Sequence, residues 1–234
     1  MSSTIINCYE NLPRKYKQNN YFNPNKLMPQ HPFRLCIIGA SNSGKTNTLM
    51  NIIELSKNFH KIYLYAKKLD ESLYQYLIDS WERRSEKLGM DLIQYSNNIE
   101  DLITVDDVDE SVQNLIILDD FCVEKNLDKV SEFFIRSRKS NCSIIFISQS
   151  YFAIPSQVRI NSDYFIFTRN LKGNELIQVA KDQSGMLSID EFKRLYRSAT
   201  KDGYDFFMID LKHKDDKYRF RKNFDFSLIS NSKI

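Results

Sequence analysis

The stretch CIIGASNSGKTNTLM, residues 36–50, decides the reading of this chain of 234 residues. An apolar run from Leu35 to Ile38 leads into Gly39; four residues follow, then Gly44, Lys45 and Thr46, then a segment that reads as helix. The order is strand, glycine-bounded loop, helix. Such a loop can wrap a polyphosphate closely enough for backbone N–H groups to point at its oxygens, and side chains at Gly39 and Gly44 would obstruct that approach. The helix adds unpaired N–H groups and a positive dipole end. Gly39, Ala40, Ser41, Asn42, Ser43, Gly44, Lys45 and Thr46 are therefore the expected phosphate cradle. Lys45 is expected to reach the β- and γ-phosphates and the Thr46 hydroxyl to ligate Mg²⁺. At ordinary residue frequencies this spacing arises by chance in roughly 1% of chains of such length, and this chain has only 6 glycines.

NLIILDDF, residues 114–121, carries a second signal. Leu115 to Leu118 are apolar on both faces, as a central parallel strand requires. The run ends in Asp119 and Asp120 at the carboxyl end, where open α/β sheets bind ligands. Asp119 is the expected holder of Mg²⁺. Asp120 stands where many phosphate-loop ATPases keep a glutamate that polarises the attacking water; aspartate is one methylene shorter, and capping of the next helix is the structural alternative. CSIIFISQS, residues 142–150, is another doubly apolar run. Gln149 should emerge at the same rim, between the two motifs if its strand lies between theirs, to meet the γ-phosphate or the lytic water.

The remaining pattern alternates strands and helices. KIYLYAK (61–67) and DYFIFTR (163–169) read as strands, DLIQYS (91–96) as a short edge strand, and residues 70–88 as a helix carrying Leu73, Leu77 and Trp81. YFAIPSQVR reads as a turn and short helix. Helices are expected at about 173–182 and 188–200, the second opened by a capping box of Ser188 and Glu191. YDFFMIDL and YRFRKNF read as a terminal antiparallel hairpin. The expected class is α/β, with a mainly parallel central sheet flanked by helices.

Composition bounds the rest. With 42% hydrophobic and 13% aromatic residues the chain can bury a full core as one α/β domain, residues 32–234. Cys8, Cys36, Cys122 and Cys142 lack metal-ligand spacing and read as reduced cytosolic thiols. No apolar run approaches the ~20 residues a membrane span needs, and MSSTIINCYENLPRKYK lacks a signal-peptide core, so no membrane partner is expected. Arg14, Lys15, Lys17, Lys26 and Arg34 against Glu10 give residues 1–34 a charge of +4, against +3 for the whole chain. Residues 1–31 thus read as a basic arm, in a segment made a poor helix by Pro24, Pro29 and Pro32, that could touch nucleic acid, a neighbouring subunit or a shell protein, with a solvated tail as the alternative.

GASNSGKT, LIILDD, FIRSRKSNCSIIFISQSYFAIPSQVRIN and FMIDLKHKDDKYRFRKNF together resemble the genome-packaging ATPases of large and mid-sized DNA viruses. These form the poxvirus-type branch of the FtsK/HerA superfamily, with versions in virophages and polinton-like elements. The resemblance covers roughly residues 32–226, and the paired aspartates also look like this branch. It implies a P-loop NTPase core of the additional-strand type, ATP with Mg²⁺, and a homo-oligomeric ring of five or six subunits. It further implies double-stranded DNA and viral capsid proteins as partners, and action in the cytoplasmic viral factory or the virion. About 60 residues follow the motor core, too few for a nuclease domain, so the protein is expected to pump without cutting.

Another FtsK/HerA-like translocase, a nucleotide kinase and a shell-assembly module that hydrolyses little remain alternatives. RSRKS (136–140) is the one cluster that could serve as a kinase lid, and no guanine-specifying Asn-Lys-x-Asp occurs. A ring ATPase commonly borrows an arginine from its neighbour. Arg159 is preferred for that role, because its segment should face outward, with Arg138 second and structural ion pairing of both as the alternative. Lys67, Lys68, Arg219, Arg221 and Lys222 are the basic candidates for gripping DNA, with solvated surface charge as the alternative reading.

Overall fold

The computed structural model describes Asn23 and residues 25–121 and 127–229. Cys8, Cys122, Pro24 and the arm charges Glu10, Arg14, Lys15 and Lys17 lie outside the described residues. In chain order the main elements are β1 (Arg34–Ile38), α1 (Lys45–Ser56), β2 (Lys61–Ala66), α2 (Ser72–Leu88), β3 (Ile93–Ser96) and β4 (Asn114–Asp119). They continue with α3 (Asp128–Arg136), β5 (Cys142–Ser148), α4 (Ser156–Asn161), β6 (Tyr164–Phe167), α5 (Gly173–Gln183) and α6 (Ile189–Ala199). β7 (Phe207–Asp210), β8 (Phe220–Lys222) and β9 (Phe226–Ser227) close the described chain.

The strands join one sheet in the order β3-β2-β4-β5-β1-β6-β7-β8-β9. The six from β3 to β6 run parallel, and β7, β8 and β9 are added antiparallel. The expected terminal hairpin is present and gains β9 as a short further strand. β5 lies between β1 and β4, so the ends of all three central strands share one rim.

Alternation along each central strand builds two cores. Cys36, Ile38, Ile116, Leu118, Ile144 and Phe146 face α3, α4, α5 and α6, whereas Leu35, Ile37, Leu115, Ile117, Ile145 and Ile147 face α1 and α2. A sheet covered on both sides needs apolar residues at every position, which is why these strands read as continuous hydrophobic runs. Each fully buried aliphatic side chain contributes about 1.5–3 kcal/mol, so burial in the middle of the sheet contributes strongly to stability. Cys36 and Cys142 are buried thiols within it. Among the described residues no helix is long and apolar enough to cross a membrane.

Helix α2 corrects the sequence reading in a way that matters for the site. Its buried residues are Tyr74, Leu77 and Ile78, with Leu73 and Trp81 only half-buried, so the inward face is rotated from the one expected. The Ser188–Glu191 capping box forms as expected, with the Ser188 hydroxyl accepting from Glu191 N–H. At the amino-terminal side, Met28 is buried in the α1 and α2 core, and Asn23 donates to Ser56, so packing begins before residue 32.

Several charges expected at the surface lie inside. Arg34 forks onto Asp163, with Nη2 2.8 Å from Oδ1 and Nε 3.1 Å from Oδ2, while Nη1 donates to the Phe134 carbonyl. This ties the starts of β1 and β6 to the end of α3. Arg221 is fully buried and donates to Asp210 at 3.0 Å. Lys222 pairs with Asp205 at 2.7 Å, and Arg219 donates to the Gln183 carbonyl. Of the hairpin cations, Arg221 is therefore committed to joining β8 to β7, because alternation turns it into the core, while Arg219 reaches α5 and Lys222 the turn before β7. Removing one partner of a buried ion pair leaves an uncompensated charge. Asp163→Ala should therefore lose about 3 kcal/mol or more of unfolding free energy in urea titration, whereas exposed Asp190→Ala should change it by less than about 0.5 kcal/mol.

Candidate functional site

The loop after β1 turns out of the sheet with Gly39 N–H still bonded to the Ser148 carbonyl of β5, at 3.1 Å. Asn42 and Gly44 adopt positive φ, 58° and 93°. Asparagine and glycine tolerate this left-handed region best, so the loop's sequence suits its turns. Gly44 caps α1, and Lys45 opens it.

Gly39 is required for a reason the motif alone does not give. A Cβ there would lie 1.7 Å from Thr168 Oγ1 and 2.7 Å from Ser43 Oγ. Those two hydroxyls hydrogen-bond at 2.6 Å, and Thr168 N–H donates to the Ile38 carbonyl at 2.9 Å. The missing side chain thus serves loop-to-β6 packing, a demand separate from the phosphate approach expected of it. Thr168, at the end of β6, clamps the loop, and no sequence motif announced it.

Lys45 folds back over the loop and donates to the Ala40 carbonyl at 2.9 Å. Its pKa is lowered by burial, and the negative charges of Asp119, Asp120 and Glu71 oppose that shift. Asp119, at the end of β4, is pushed up to about 6, chiefly by burial; the Tyr74 hydrogen bond and Lys45 work the other way. Both shifts share one origin, two charges withdrawn from water near one another. Tyr74 donates its hydroxyl to Asp119 Oδ2 at 2.7 Å, and Thr46 hydrogen-bonds the same tyrosine. Burial, then Asp119, raises the Tyr74 pKa far enough to keep it a donor. Tyr74 and Glu71 were missed in the sequence. An aromatic at helical spacing reads as core filler, and only the rotation of α2 brings the hydroxyl to β4.

Asp120 lies one residue beyond the strand with φ 64°. This uncommon conformation swings its carboxylate sideways along the rim, where Gln149 Nε2 lies 3.2 and 3.3 Å from its two oxygens. Gln149 Oε1 accepts from Ser41 Oγ at 3.1 Å. Ser41, Gln149 and Asp120 thus form one exposed chain across the loop's mouth. Helix α3 begins at Asp128, and residues 122–126, on which the capping alternative for Asp120 rests, lie outside the described residues.

The Thr46 hydroxyl and the Asp119 carboxylate, joined through Tyr74, are hard oxygen donors of the kind Mg²⁺ takes. Among the described residues no group of three or more His, Cys, Asp or Glu makes a metal site by itself. A cation here would complete its shell with ligand oxygens and water, the usual arrangement for Mg²⁺ beside phosphates.

The two arginines assigned to a neighbour's site differ. Arg159 donates to the carbonyls of Tyr151 and Ile154, at 3.1 and 2.9 Å, and lies over the Tyr151 ring. It closes a turn of its own chain and is half-buried. Arg138 is exposed at the amino end of the sheet, opposite the phosphate loop. It borders a cavity of about 1090 Å³ lined also by Lys26, Lys139, Lys212 and Lys214. Arg136 beside it pairs with Asp106 and Glu132.

The model of the poxvirus A32 protein family matches residues 19–209. The DNA packaging protein OPG160 of variola virus is 30% identical over 168 residues, covering 68% of this chain and 58% of that protein. Its vaccinia virus counterpart is 31% identical over the same length and coverage. The chain thus spans 58% of the length of these curated relatives. Among solved structures, the genome packaging NTPase B204 of Sulfolobus turreted icosahedral virus 2, in complex with ATP-gammaS, aligns with a TM-score of 0.56 at 14% identity. That alignment covers 84% of this chain and 98% of B204, and it shows a shared P-loop ATPase fold.

The packing role of Gly39 is open to test. Gly39→Ala should lower stability by about 2 kcal/mol without any nucleotide present, and adding Thr168→Ala should restore part of the loss by removing the clashing oxygen. Thermal denaturation of the two variants checks this; equal melting temperatures for wild type and Gly39→Ala would contradict it.

Proposed function

This chain belongs to the poxvirus A32 protein family, and from that premise we propose that it is an ATP-hydrolysing motor that drives double-stranded DNA into a preformed viral capsid. One observation carries the reading: Lys45, Asp119, Asp120 and Gln149 converge on a single rim around a glycine-bounded loop at a helix N-terminus. In this reading Gly39 to Thr46 cradle the phosphates of ATP, with Lys45 exchanging the Ala40 carbonyl for the β- and γ-oxygens. Thr46 and Asp119 hold Mg²⁺, which when bound neutralises charge on the β- and γ-phosphates. Asp120 accepts the proton of the attacking water, and Gln149, already bonded to Asp120, orients that water. Tyr74 fixes the Asp119 carboxylate.

We further assign the trans-acting arginine to Arg138. In the ring proposed here the subunits meet head to tail, with the amino end of one sheet set against the phosphate rim of the next. Arg138 stands at that amino end among lysines, while Arg159 is occupied within its own turn. Basic residues at one end and carboxylates plus a triphosphate at the other make the two faces complementary. On this reading the protein acts in the cytoplasmic viral factory, can enter the virion, and meets duplex DNA and capsid proteins as partners.

Lys45→Ala and Asp119→Ala should each lower ATP turnover by ~10²-fold or more while leaving the fold intact. Duplex DNA should raise wild-type turnover with little sequence preference, and binding should weaken steeply with salt, since a translocase holds phosphates rather than bases. Stimulation by a small nucleoside in place of DNA would point to a kinase instead. In mixed rings, Arg138→Ala with an intact loop, combined with Lys45→Ala carrying an intact Arg138, should regain part of the lost turnover. Recovery with Arg159→Ala in the same assay, and none with Arg138→Ala, would move the role to Arg159.

A further inference from the structure

Tyr204 is an aromatic side chain that the phosphate chemistry leaves unused. It lies in the turn between α6 and β7, is 65% exposed, and leans on the phosphate loop: a Cβ on Gly44 would come within 2.9 Å of Tyr204 Cδ1. It is no core filler, since the neighbouring Phe206 and Phe207 are the residues that enter the two cores. The turn that carries it is braced. Asp205 N–H donates to the Asp202 carbonyl at 3.0 Å, and the Asp205 carboxylate accepts from Lys222 and Asn223 at 2.7 and 2.8 Å. Asn223 Oδ1 accepts from Phe206 N–H, and Asn223 N–H donates to the Phe206 carbonyl. A large, exposed ring is thus held on a fixed support beside the N-terminus of α1.

Position decides what the ring can meet. The groups facing the terminal phosphate, Asp119, Asp120 and Gln149, come from β4 and β5 on one side of β1, whereas Tyr204 comes from the β6 and β7 side. A triphosphate laid across α1's N-terminus toward Asp119 leaves its nucleoside on the Tyr204 side. Aromatic faces stack on planar bases, and a purine offers the larger surface. We propose that Tyr204 is the platform for the purine base of the bound nucleoside triphosphate, so that it sets base affinity and the preference for purines over pyrimidines. This rests on the nucleotide-binding reading above.

The test is calorimetric titration of the whole chain, wild type, Tyr204→Ala and Tyr204→Phe, with Mg²⁺ and, in turn, ATP, CTP and inorganic tripolyphosphate. Tyr204→Ala should weaken ATP about tenfold or more, as loss of one base–aromatic stack does, with tripolyphosphate affinity unchanged and the preference for ATP over CTP reduced. Tyr204→Phe should keep wild-type affinity. Equal weakening of ATP and tripolyphosphate would make Tyr204 a loop support and overturn the proposal, as would unchanged ATP binding by Tyr204→Ala. A wild-type chain that binds neither ATP nor tripolyphosphate would overturn the nucleotide reading itself, a result distinct from both.

Discussion

The site depends on one constraint, the parallel pairing of β5 between β1 and β4. Asp119 pairs with Ile147 in one ladder, and Ile38 with Ser148 in the other. These registers end three apolar strands at nearly the same height, so the loop after Ile38, the acids after Leu118 and the glutamine after Ser148 emerge together. Parallel strands buried on both faces cannot slip by one residue without sending every side chain into the opposite core. The hydrophobic packing on both faces therefore sets the geometry of polar groups that contribute nothing to it.

The polar rim is costly to the unliganded protein, and its strain falls on a few residues. Asp119 is a buried carboxylate whose charged form is disfavoured despite Tyr74 and Lys45, and Lys45 is disfavoured as a cation in turn. Asp120 occupies a backbone conformation uncommon for a residue with a side chain. Such groups persist where the surrounding structure holds them, and here the β4 and β5 ladders do so. A bound triphosphate with its cation would supply the charges these groups lack, which makes the same residues unfavourable for folding alone and suited to ligand binding.

Legibility followed the range of the interactions. The phosphate loop, the Asp119–Asp120 pair and Gln149 were readable because each is a local pattern at the end of an apolar strand, and the strand order then brings them together. Tyr74, Thr168 and Tyr204 were not readable, since each reaches the loop or the rim from an element distant in sequence. Burial of charge was equally hidden: Arg221 looks like a surface cation until β7 and β8 pair and Asp210 meets it. The bonds of Arg159 within its own turn were equally hidden, because the carbonyls of Tyr151 and Ile154 meet its guanidinium only once that turn has formed. The packing demand on Gly39 was hidden as well, because the hydroxyl pair behind it comes partly from Thr168, far along the chain.

In the proposed ring the two ends of one sheet meet across a subunit boundary, with phosphates on the carboxyl rim of one copy facing the basic amino end of the next. Electron microscopy of the chain with duplex DNA, Mg²⁺ and a slowly hydrolysed ATP analogue tests that arrangement most directly. The expected image is a closed ring around DNA, with nucleotide between Lys45 of one subunit and Arg138 of its neighbour. Nucleotide enclosed within a single subunit, with Arg138 turned to solvent and no ring on DNA, would contradict it.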